Sequence, residues 1–406
     1  MIFPYVGDWL IHPAPLQLSF NYCSHKCSYC FANLNNPQRT FSTKDFQTQL
    51  KGMFSSNSLQ ATLLREKYPV LISNLVDPFA TSNYAQAVPV IEILTNLQVP
   101  VTIQTRGGKG IEDVLKFLPS SVWYISIPML DDDIRKRYEP AAPSIQSRLE
   151  LIDNLKSLGH DVIVGINPTS PTFLPNNDAY LLIDILRNKG VHGIWMAPLH
   201  FNTKQLAVMP LRDKSMLGND LIQEGVKSSR IIQPHVEQFM LNICKYALDK
   251  GLAVEGINHV GGNNFFDAFY NKYDKCFPNI YQFLNWCIQN KANNEPVYYQ
   301  EFEDLLLPLL PKGDFNISPY MRCMNRDVDN EIRSEEGYKQ SFKRLLQLSW
   351  NDRRMKRSLH ESLFQYAVGI ELHEDSANFS LDAQGNLIQY FNNDMFSENY
   401  FLTNTI

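Results

Sequence analysis

The feature of this chain with the clearest chemical potential is a set of three cysteines, Cys23, Cys27 and Cys30, which follow an apolar run over 16–20. Thiolates bind soft metals, and three of them on one short loop can hold a single metal centre. A cubane iron–sulfur cluster has four irons, so three cysteines leave one iron open to a ligand from outside the protein. The spacing therefore indicates a cluster at which chemistry can take place.

The same cysteines fit two less reactive alternatives. A zinc knuckle would take His25 as its fourth ligand, and three buried thiols would bind nothing. The cluster is the favoured interpretation, because a strand precedes the motif and strand–helix units follow it. A zinc or cluster site without catalysis would make the chain a non-enzymatic binding module.

Short apolar runs alternate with helical patterns through the first half of the chain. Six runs are predicted as strands, and each except the last precedes a helix; they cover 16–20, 70–76, 99–105, 122–127, 161–166 and 194–199. The apolar spacing over 43–66 predicts one helix between the first two strands. Runs that are apolar throughout are typical of parallel strands buried on both faces. We therefore predict an α/β fold with a partial (β/α)6 TIM-like barrel, whose working residues lie at the carboxyl ends of its strands.

The second half of the chain has a different pattern. Residues 230–250 are predicted as a helix, and 252–257 fit either a last strand or an extension. Residues 379–391 fit a hairpin that turns at 384–386. We predict a barrel domain over residues 1–262 and a mainly helical C-terminal domain with a terminal hairpin over 263–406, which closes over the substrate.

Composition limits the class of protein. The chain has 406 residues, 44% of them hydrophobic and 19% charged, as in ordinary soluble globular proteins. Its first residues lack a basic region and a long apolar run, so neither a signal peptide nor a membrane helix is expected. Seven cysteines, three of them spaced like metal ligands, favour a reducing compartment, and we expect a cytoplasmic protein. The net charge of −5 argues against a general binder of polyanions.

A second motif adds to the three cysteines. The chain reads Arg137-Tyr-Glu-Pro-Ala-Ala-Pro-Ser144, then Arg148-Leu149, and then Gly165-Ile-Asn-Pro168 after the next strand. With the C-x3-C-x2-C spacing and an Asp77-Pro-Phe79 turn, this pattern resembles the radical S-adenosylmethionine (SAM) superfamily. Within it, the pattern is similar to the spore photoproduct lyase-like branch, also labelled DNA repair photolyase-like. The likeness covers 16–200.

The resemblance implies an enzyme that cleaves SAM reductively at a 4Fe-4S cluster held by Cys23, Cys27 and Cys30. The 5′-deoxyadenosyl radical so formed would abstract hydrogen from a substrate, in a reaction of lyase or oxidoreductase type. The branch points to nucleic acid or a nucleotide as substrate, with a small metabolite or a peptide as the alternative. A flavodoxin or ferredoxin would supply the electron.

The resemblance also assigns side chains to SAM. Phe31 would lie against the adenine. Other residues would hold the methionine part, the ribose or the substrate: Ser73, Asn74, Asp77, Arg106, Ser126, Glu139 and Arg148. Arg148 suits a carboxylate because a guanidinium donates at two points, and Glu139 would hold the ammonium or orient Arg148. Outside the cysteines, a helix cap or a surface ion pair is the structural alternative.

Two departures from the branch bear on its activity. Spore photoproduct lyase uses a cysteine near the end of its second strand as hydrogen-atom donor, where this chain reads Ile72-Ser-Asn-Leu75. It carries a lysine for SAM on its third strand, where this chain reads Gln104-Thr-Arg106. Arginine replaces that cation with a different geometry. Reversal of thymine dimers of the spore type is therefore not expected, and no catalytic residue is assigned.

Two further features carry alternatives. The remaining cysteines lack a C-x2-C pair and are predicted as buried thiols rather than ligands of a second cluster: Cys244, Cys276, Cys287 and Cys323. Trp350 precedes a basic run, Arg353-Arg-Met-Lys-Arg357, which fits a nucleic-acid backbone or a solvated helix face.

Overall fold

The structure is a computed structural model that describes residues 2–4, 10–20, 22–30, 42–73, 76–209, 211, 214–215, 222–223, 231–255, 264–312, 341–351, 370–371 and 380–392. Its main body is an eight-stranded sheet. The first seven of these strands are β1 (Ile2–Pro4), β2 (Leu16–Leu18), β3 (Val70–Ile72), β4 (Val101–Thr105), β5 (Val122–Ser126), β6 (Asp161–Thr169) and β7 (Gly193–Pro198). A separate small sheet contains β8 (His200–Phe201), β9 (Ile222–Gln223) and β10 (Ile231–Ile232), and then β11 (Ala253–Val254) completes the main sheet beside β7.

Helices connect the strands of the main sheet and continue beyond it. In chain order they are α1 (Thr43–Phe54), α2 (Leu59–Arg65), α3 (Tyr84–Asn96), α4 (Ile111–Leu115), α5 (Asp132–Tyr138), α6 (Ile145–Ser157), α7 (Asn176–Asn188), α8 (Thr203–Val208), α9 (Val236–Asp249), α10 (Asp267–Tyr270), α11 (Ile280–Asn290), α12 (Tyr299–Leu306) and α13 (Ser341–Trp350). None of the helices in the described ranges is long and apolar enough to cross a membrane.

The predicted α/β class with a partial barrel is confirmed. Strand order in the main sheet follows chain order, β1 pairs antiparallel with β2, and every later pair is parallel. Helices between successive parallel strands wind such a sheet in one direction, as in a barrel. No pairing within the described residues joins β1 to β11, so the barrel is open. The run at 252–257 supplies β11, a seventh parallel strand beyond the six predicted.

The helical predictions differ from the structure at three places. One is the start of the helix predicted over 230–250, where Ile231–Ile232 form β10 and α9 begins only at Val236. The single helix predicted over 43–66 is wrong, because Ser55 ends α1 and Ser58 starts α2 by accepting a hydrogen bond from the backbone N–H of Ala61. Serine caps compete with continued helix through such side-chain bonds. The prediction also missed α5, a short charged helix capped by Asp131, since it lacks a long apolar stripe.

The chain after β11 closes the amino-terminal end of the sheet. The Tyr273 hydroxyl donates to the carbonyl of Val101 at 2.8 Å and accepts from the N–H of Val122 at 2.9 Å. Both partners are the first residues of their strands. Phe266 and Phe269 contact the ring of His12 at 5.5 and 5.0 Å between ring centres. This part of the predicted extension therefore lies at the end opposite to the carboxyl ends of the strands, not over them.

The remaining described residues form a small unit of three helices and a sheet. Strands β12 (Pro296–Val297), β13 (Ile370–Glu371) and β14 (Gln389–Phe391) lie in the order β12-β14-β13. Trp350 is fully buried between α11 and α12, and its indole N–H donates to the carbonyl of Leu387 at 2.7 Å. A bridge between Leu381 and Leu387 flanks a turn at Gly385, where φ is +81°. The boundary at residue 262 stays a prediction.

Residues 264–273, called here the closing segment, are attached to the main sheet through Tyr273, and Tyr273→Phe tests how much this attachment stabilises the fold. The change removes both hydrogen bonds to the sheet and leaves the Val122 N–H without its partner, which costs about 1–3 kcal/mol. We expect the urea midpoint to fall with little change in the slope of the transition. Tyr180→Phe is the control, since the half-buried Tyr180 hydroxyl bonds to no described residue. An equal effect of the two changes would contradict the attachment.

Candidate metal and cofactor site

The cysteine loop, residues 22–30, leaves β2 at its carboxyl end and is fixed at its start to the segment that follows β3. The Asn83 side-chain amide donates to the carbonyl of Tyr22 at 2.7 Å. Ser24 and Ser82 exchange backbone-to-hydroxyl hydrogen bonds, each of 3.1 Å. Because the carboxyl ends of parallel strands meet at one edge, the loop joins the end of the neighbouring strand.

The second half of the loop is fixed to the segment after α5. The N–H of Ser28 donates to the carbonyl of Tyr138 at 2.9 Å, and the N–H of Ala141 donates to the carbonyl of His25 at 3.2 Å. Gln205, from α8, donates to the carbonyl of Tyr29 at 3.1 Å. The loop is thus attached to three separate parts of the chain. The Tyr-Glu-Pro-Ala motif found in the sequence is one of them.

The three thiols of the loop lie close to one another, with Cys23 buried and Cys27 and Cys30 half-buried. Burial raises the pKa of Cys23 to about 11, although backbone N–H groups of His25 and Asp77 at its sulfur act in the opposite direction. Burial also raises the pKa of Cys27, and the neighbouring sulfurs of Cys30 and Cys23 raise it further. An uncompensated thiolate is therefore disfavoured at Cys23 and Cys27, and a bound metal centre is a group that would stabilise it.

The donor set fits an iron–sulfur cluster. Hydrogen bonds from backbone N–H groups to a ligating sulfur are a usual part of cluster sites, and Cys23 has two such donors. Within the described residues, no three His, Cys, Asp or Glu side chains are grouped as the ligands of one metal ion. In a cubane each cysteine binds a different iron, so its three sulfurs need not meet at one atom. Cys23, Cys27 and Cys30 stay the predicted ligands.

His25 has partners other than a metal. Its Nδ1 lies 3.2 Å from the carbonyl of Ala141, and its Nε2 lies 3.2 Å from Oδ2 of Asp77. The ring is buried, with 3% of its surface exposed. Both ring nitrogens thus face protein atoms, which gives His25 a structural role in the loop rather than that of a fourth zinc ligand.

Asp77 is a buried carboxylate with four partners. Its Oδ1 accepts from the Phe79 N–H at 2.9 Å and from the Thr105 hydroxyl at 2.8 Å. Its Oδ2 accepts from the Arg106 N–H at 2.6 Å and faces His25. Burial alone would raise the pKa of Asp77, but the His25 ring and the backbone donors outweigh it and hold the pKa below its ordinary value. Asp77 therefore joins the loop to the ends of β3 and β4.

Glu139 is a second buried carboxylate on the other side of the loop. Its Oε1 accepts from the Nε of Arg106 at 2.9 Å and from the Tyr29 hydroxyl, and its Oε2 accepts from Arg148. Burial acts to raise the pKa of Glu139, and the two guanidiniums lower it to about 2. Glu139 is thus ionised at neutral pH and neutralised by two cations, an arrangement that buried charges require.

The structure gives Arg148 a structural role instead of the predicted contact with the carboxylate of SAM. The side chain is fully buried, and its guanidinium donates to Glu139, to the carbonyl of Ser126 at 3.0 Å and to that of Pro143. A guanidinium without exposed surface does not reach a cofactor carboxylate. Arg106 keeps 22% of its side chain exposed, and its Nη1 has no acceptor among the described residues. Arg106 is therefore the guanidinium that reaches the site.

The remaining predicted residues are placed at strand ends or lie outside the described residues. Ser73 is buried and shares a 2.8 Å hydrogen bond with the hydroxyl of Ser19, at the ends of β3 and β2. Ser126, at the end of β5, donates to the carbonyl of Asn167 at 3.1 Å. Phe31 and Asn74 lie outside the described residues, so their predicted contacts with SAM stay predictions.

Sequence reasoning missed two aromatic residues. Tyr29 lies between two of the cysteines, and that position was the signal that could have marked it; its hydroxyl bonds to Glu139 and lies 3.2 Å from Arg106. Trp195 is half-buried on the inner face of the sheet, where β7 pairs it with Gly165 of β6. A Cβ on Gly165 would lie 2.5 Å from the indole nitrogen of Trp195. Glycine at 165 is therefore what makes room for this indole.

The three other cysteines in the described part of the chain lie on or near later helices. Burial raises the pKa of Cys244, Cys276 and Cys287 to about 12 each, and the three lie on or beside helices far along the chain from the loop. Cys244 and Cys287 are buried and Cys276 is half-buried. Cys323 and the basic run over 353–357 lie outside the described residues.

Comparisons with known proteins find similar chains. No family model matches this sequence. An uncharacterized protein of Mycobacterium tuberculosis, Rv2578c, is 27% identical over 193 residues, which cover 44% of this chain and 56% of the relative. The uncharacterized protein ORF301 of Acidianus two-tailed virus is 24% identical over 197 residues, 44% of this chain and 64% of its own length. The chain thus spans between half and two thirds of the curated relatives it matches.

Solved structures align with part of this chain. A mutant of spore photoproduct lyase with its dinucleoside spore photoproduct aligns with 59% of this chain and 76% of its own, at 12% identity and a TM-score of 0.46. SuiB of Streptococcus suis bound to S-adenosylmethionine aligns with 65% of this chain and 54% of its own, at 15% identity and a TM-score of 0.41. Each of the two alignments covers more than half of this chain.

Gly165→Ala tests the packing of Trp195. The added methyl group would overlap the indole, so the ring must move, at a cost of about 1–3 kcal/mol. We expect a lower urea midpoint and a changed tryptophan emission spectrum. Gly52→Ala, in α1, is the matched control, because its new Cβ meets nothing within 4 Å and alanine favours the helix by up to about 1 kcal/mol. Unchanged stability and emission in Gly165→Ala would contradict the packing.

The lowered pKa of Glu139 predicts that its contribution to the free energy of unfolding is lost in acid. Its pKa is lowered from 4.5 to about 2, so its stabilisation is complete above pH 4.5 and is lost as the pH falls towards 2. The full loss amounts to about 3 kcal/mol, and about 2 kcal/mol of it falls between pH 6 and pH 3. Urea unfolding at pH 6 and pH 3 measures it, with Glu139→Gln compared with the exposed control Glu150→Gln. A Glu139→Gln protein with the same pH dependence as the control would contradict the assignment.

Proposed function

We propose that this chain is a radical SAM enzyme that binds a 4Fe-4S cluster through Cys23, Cys27 and Cys30. One observation carries the proposal. The three thiols lie together on a loop at the carboxyl end of β2, where burial raises the pKa of Cys23 and Cys27 and two backbone N–H groups point at the Cys23 sulfur. Working residues of parallel barrels are found at this end of the strands. Three protein ligands leave one iron for SAM.

The residues near the loop would divide the binding of SAM between them. Arg106 would hold the carboxylate with its exposed guanidinium edge, which takes the place of the lysine of spore photoproduct lyase. Ser73 and Ser126, at neighbouring strand ends, would bond to the polar groups of the methionine part or the ribose. When bound, the reduced cluster would supply the electron that cleaves SAM and so gives the radical that takes hydrogen from the substrate.

The barrel itself would exclude water and fix the substrate. Its amino-terminal end is filled by Phe266, Phe269 and Tyr273, so access from that end is blocked in the described residues. The inner face near the other end presents the half-buried side chains of Gln104 and Trp195. A site that is closed at one end and excludes water protects a reactive intermediate from side reactions.

The substrate and the electron donor are part of the same proposal. The family resemblance favours nucleic acid or a nucleotide as substrate, and the Trp195 indole offers a flat surface for a base. A small metabolite or a peptide is the alternative substrate. A flavodoxin or ferredoxin would reduce the cluster, and we expect this to take place in the cytoplasm.

Anaerobic reconstitution with iron and sulfide, followed by dithionite and SAM, tests the proposal. We expect a brown protein and 5′-deoxyadenosine detected by chromatography, with the product lost when Cys23, Cys27 and Cys30 are all changed to alanine. Cys244→Ala is the control, since that thiol is buried in α9 and outside the site. Nucleotides, DNA and RNA are then added to find a substrate that increases turnover.

Two other outcomes of this experiment would contradict the proposal. A colourless protein that carries zinc at the loop and forms no 5′-deoxyadenosine would overturn the radical reaction and leave a non-enzymatic binding module. Turnover that responds to a peptide or a small metabolite, and not to any nucleotide, would overturn the nucleotide substrate alone.

A further inference from the structure

Each gap between successive cysteines contains a side chain that contacts a buried carboxylate. His25 lies between Cys23 and Cys27, and Tyr29 lies between Cys27 and Cys30. His25 meets the carboxylate of Asp77 at 3.2 Å, and the Tyr29 hydroxyl bonds to the carboxylate of Glu139. The two carboxylates come from different parts of the chain, one after β3 and the other after α5.

Arg106 connects the two carboxylates. Its backbone N–H donates to Oδ2 of Asp77 at 2.6 Å, and its side-chain Nε donates to Oε1 of Glu139 at 2.9 Å. Arg148 donates to the other carboxylate oxygen of Glu139, Oε2. All these bonds are made by protein groups alone, so they do not depend on a bound metal.

We propose that Asp77 and Glu139 are positioning residues that hold the cysteine loop in its present conformation before any metal binds. The proposal rests on the proposed function, because it takes the loop to be the cluster site. Each carboxylate fixes one half of the loop through a side chain between two cysteines. A loop fixed in this way loses less conformational freedom when the cluster binds, which strengthens the binding.

Substitutions of the loop residues Tyr29 and His25 test the proposal. They keep the carboxylates of Asp77 and Glu139 and leave each of them with other partners. Tyr29→Phe removes the bond to Glu139, which keeps both guanidiniums as partners, and also the contact with Arg106. His25→Phe removes the contact with Asp77, which keeps its three other donors, and also the contact of Nδ1 with the Ala141 carbonyl. Ser28→Ala is the matched control, because this exposed side chain of the same loop makes no bond within the described residues. Glu139→Gln and Asp77→Asn follow if they fold.

The first measurement is hydrogen exchange of the metal-free full-length protein over residues 22–30. We expect exchange to be faster by at least about tenfold in Tyr29→Phe and His25→Phe, because each loses at least one hydrogen bond, and to be unchanged in Ser28→Ala. Exchange at the wild-type rate in both loop variants would overturn the proposal.

The second measurement follows the reconstituted cluster. We expect a ferrous chelator to remove iron about 10 to 100 times faster from the two loop variants than from wild type, and the electron paramagnetic resonance signal of the reduced protein to change. Equal rates and identical spectra would overturn the link to cluster binding. If wild type takes up no cluster while loop exchange still depends on His25 and Tyr29, the proposed function fails and the anchoring stands.

Discussion

The pairing of two buried carboxylates with the groups around them is the constraint on which this site depends. Asp77 and Glu139 have almost no exposed surface, and removing such charges from water costs several kcal/mol each unless partners replace the water. The partners here come from the ends of β3 and β4, from α6 and from the cysteine loop. Satisfying two charges therefore forces four distant segments of the chain to meet at one place.

That place is set by the sheet. Parallel strands in chain order bring every carboxyl end to the same edge, and β2, β3, β4 and β5 are consecutive there. Arg106, at the end of β4, lies between the two carboxylates and uses its backbone for one and its side chain for the other. The opposite edge is occupied by the aromatic residues of 265–273, which leaves the cysteine edge for ligands.

Much of the architecture could be predicted from the sequence. Runs such as 122–125 are apolar throughout, a pattern typical of strands buried on both faces. The cysteine spacing also marked the loop. The break at 55–58 was not predicted, because serine caps act within one turn and are hidden under a continuing apolar pattern.

The side chains around the loop were harder to assign. Arg106 and Arg148 are both arginines in the predicted site, and nothing in their local sequence says which one is exposed. That difference comes from packing. The Arg148 side chain, on α6, has no exposed surface, whereas the Arg106 side chain, after β4, is 22% exposed. Tyr29 was overlooked for a related reason: its partner Glu139 is 110 residues away in the chain, and only the fold brings them together.

The closing segment also bears on the order in which this protein assembles during synthesis. Neighbours in the main sheet are neighbours in the chain, so strands can join one after another as the chain emerges, with few long loops to close. The start of the chain is the exception, because Leu10 and Pro13 accept hydrogen bonds from Ile280 and Phe277. Residues near the amino terminus must therefore wait for residue 280 before their last backbone partners exist.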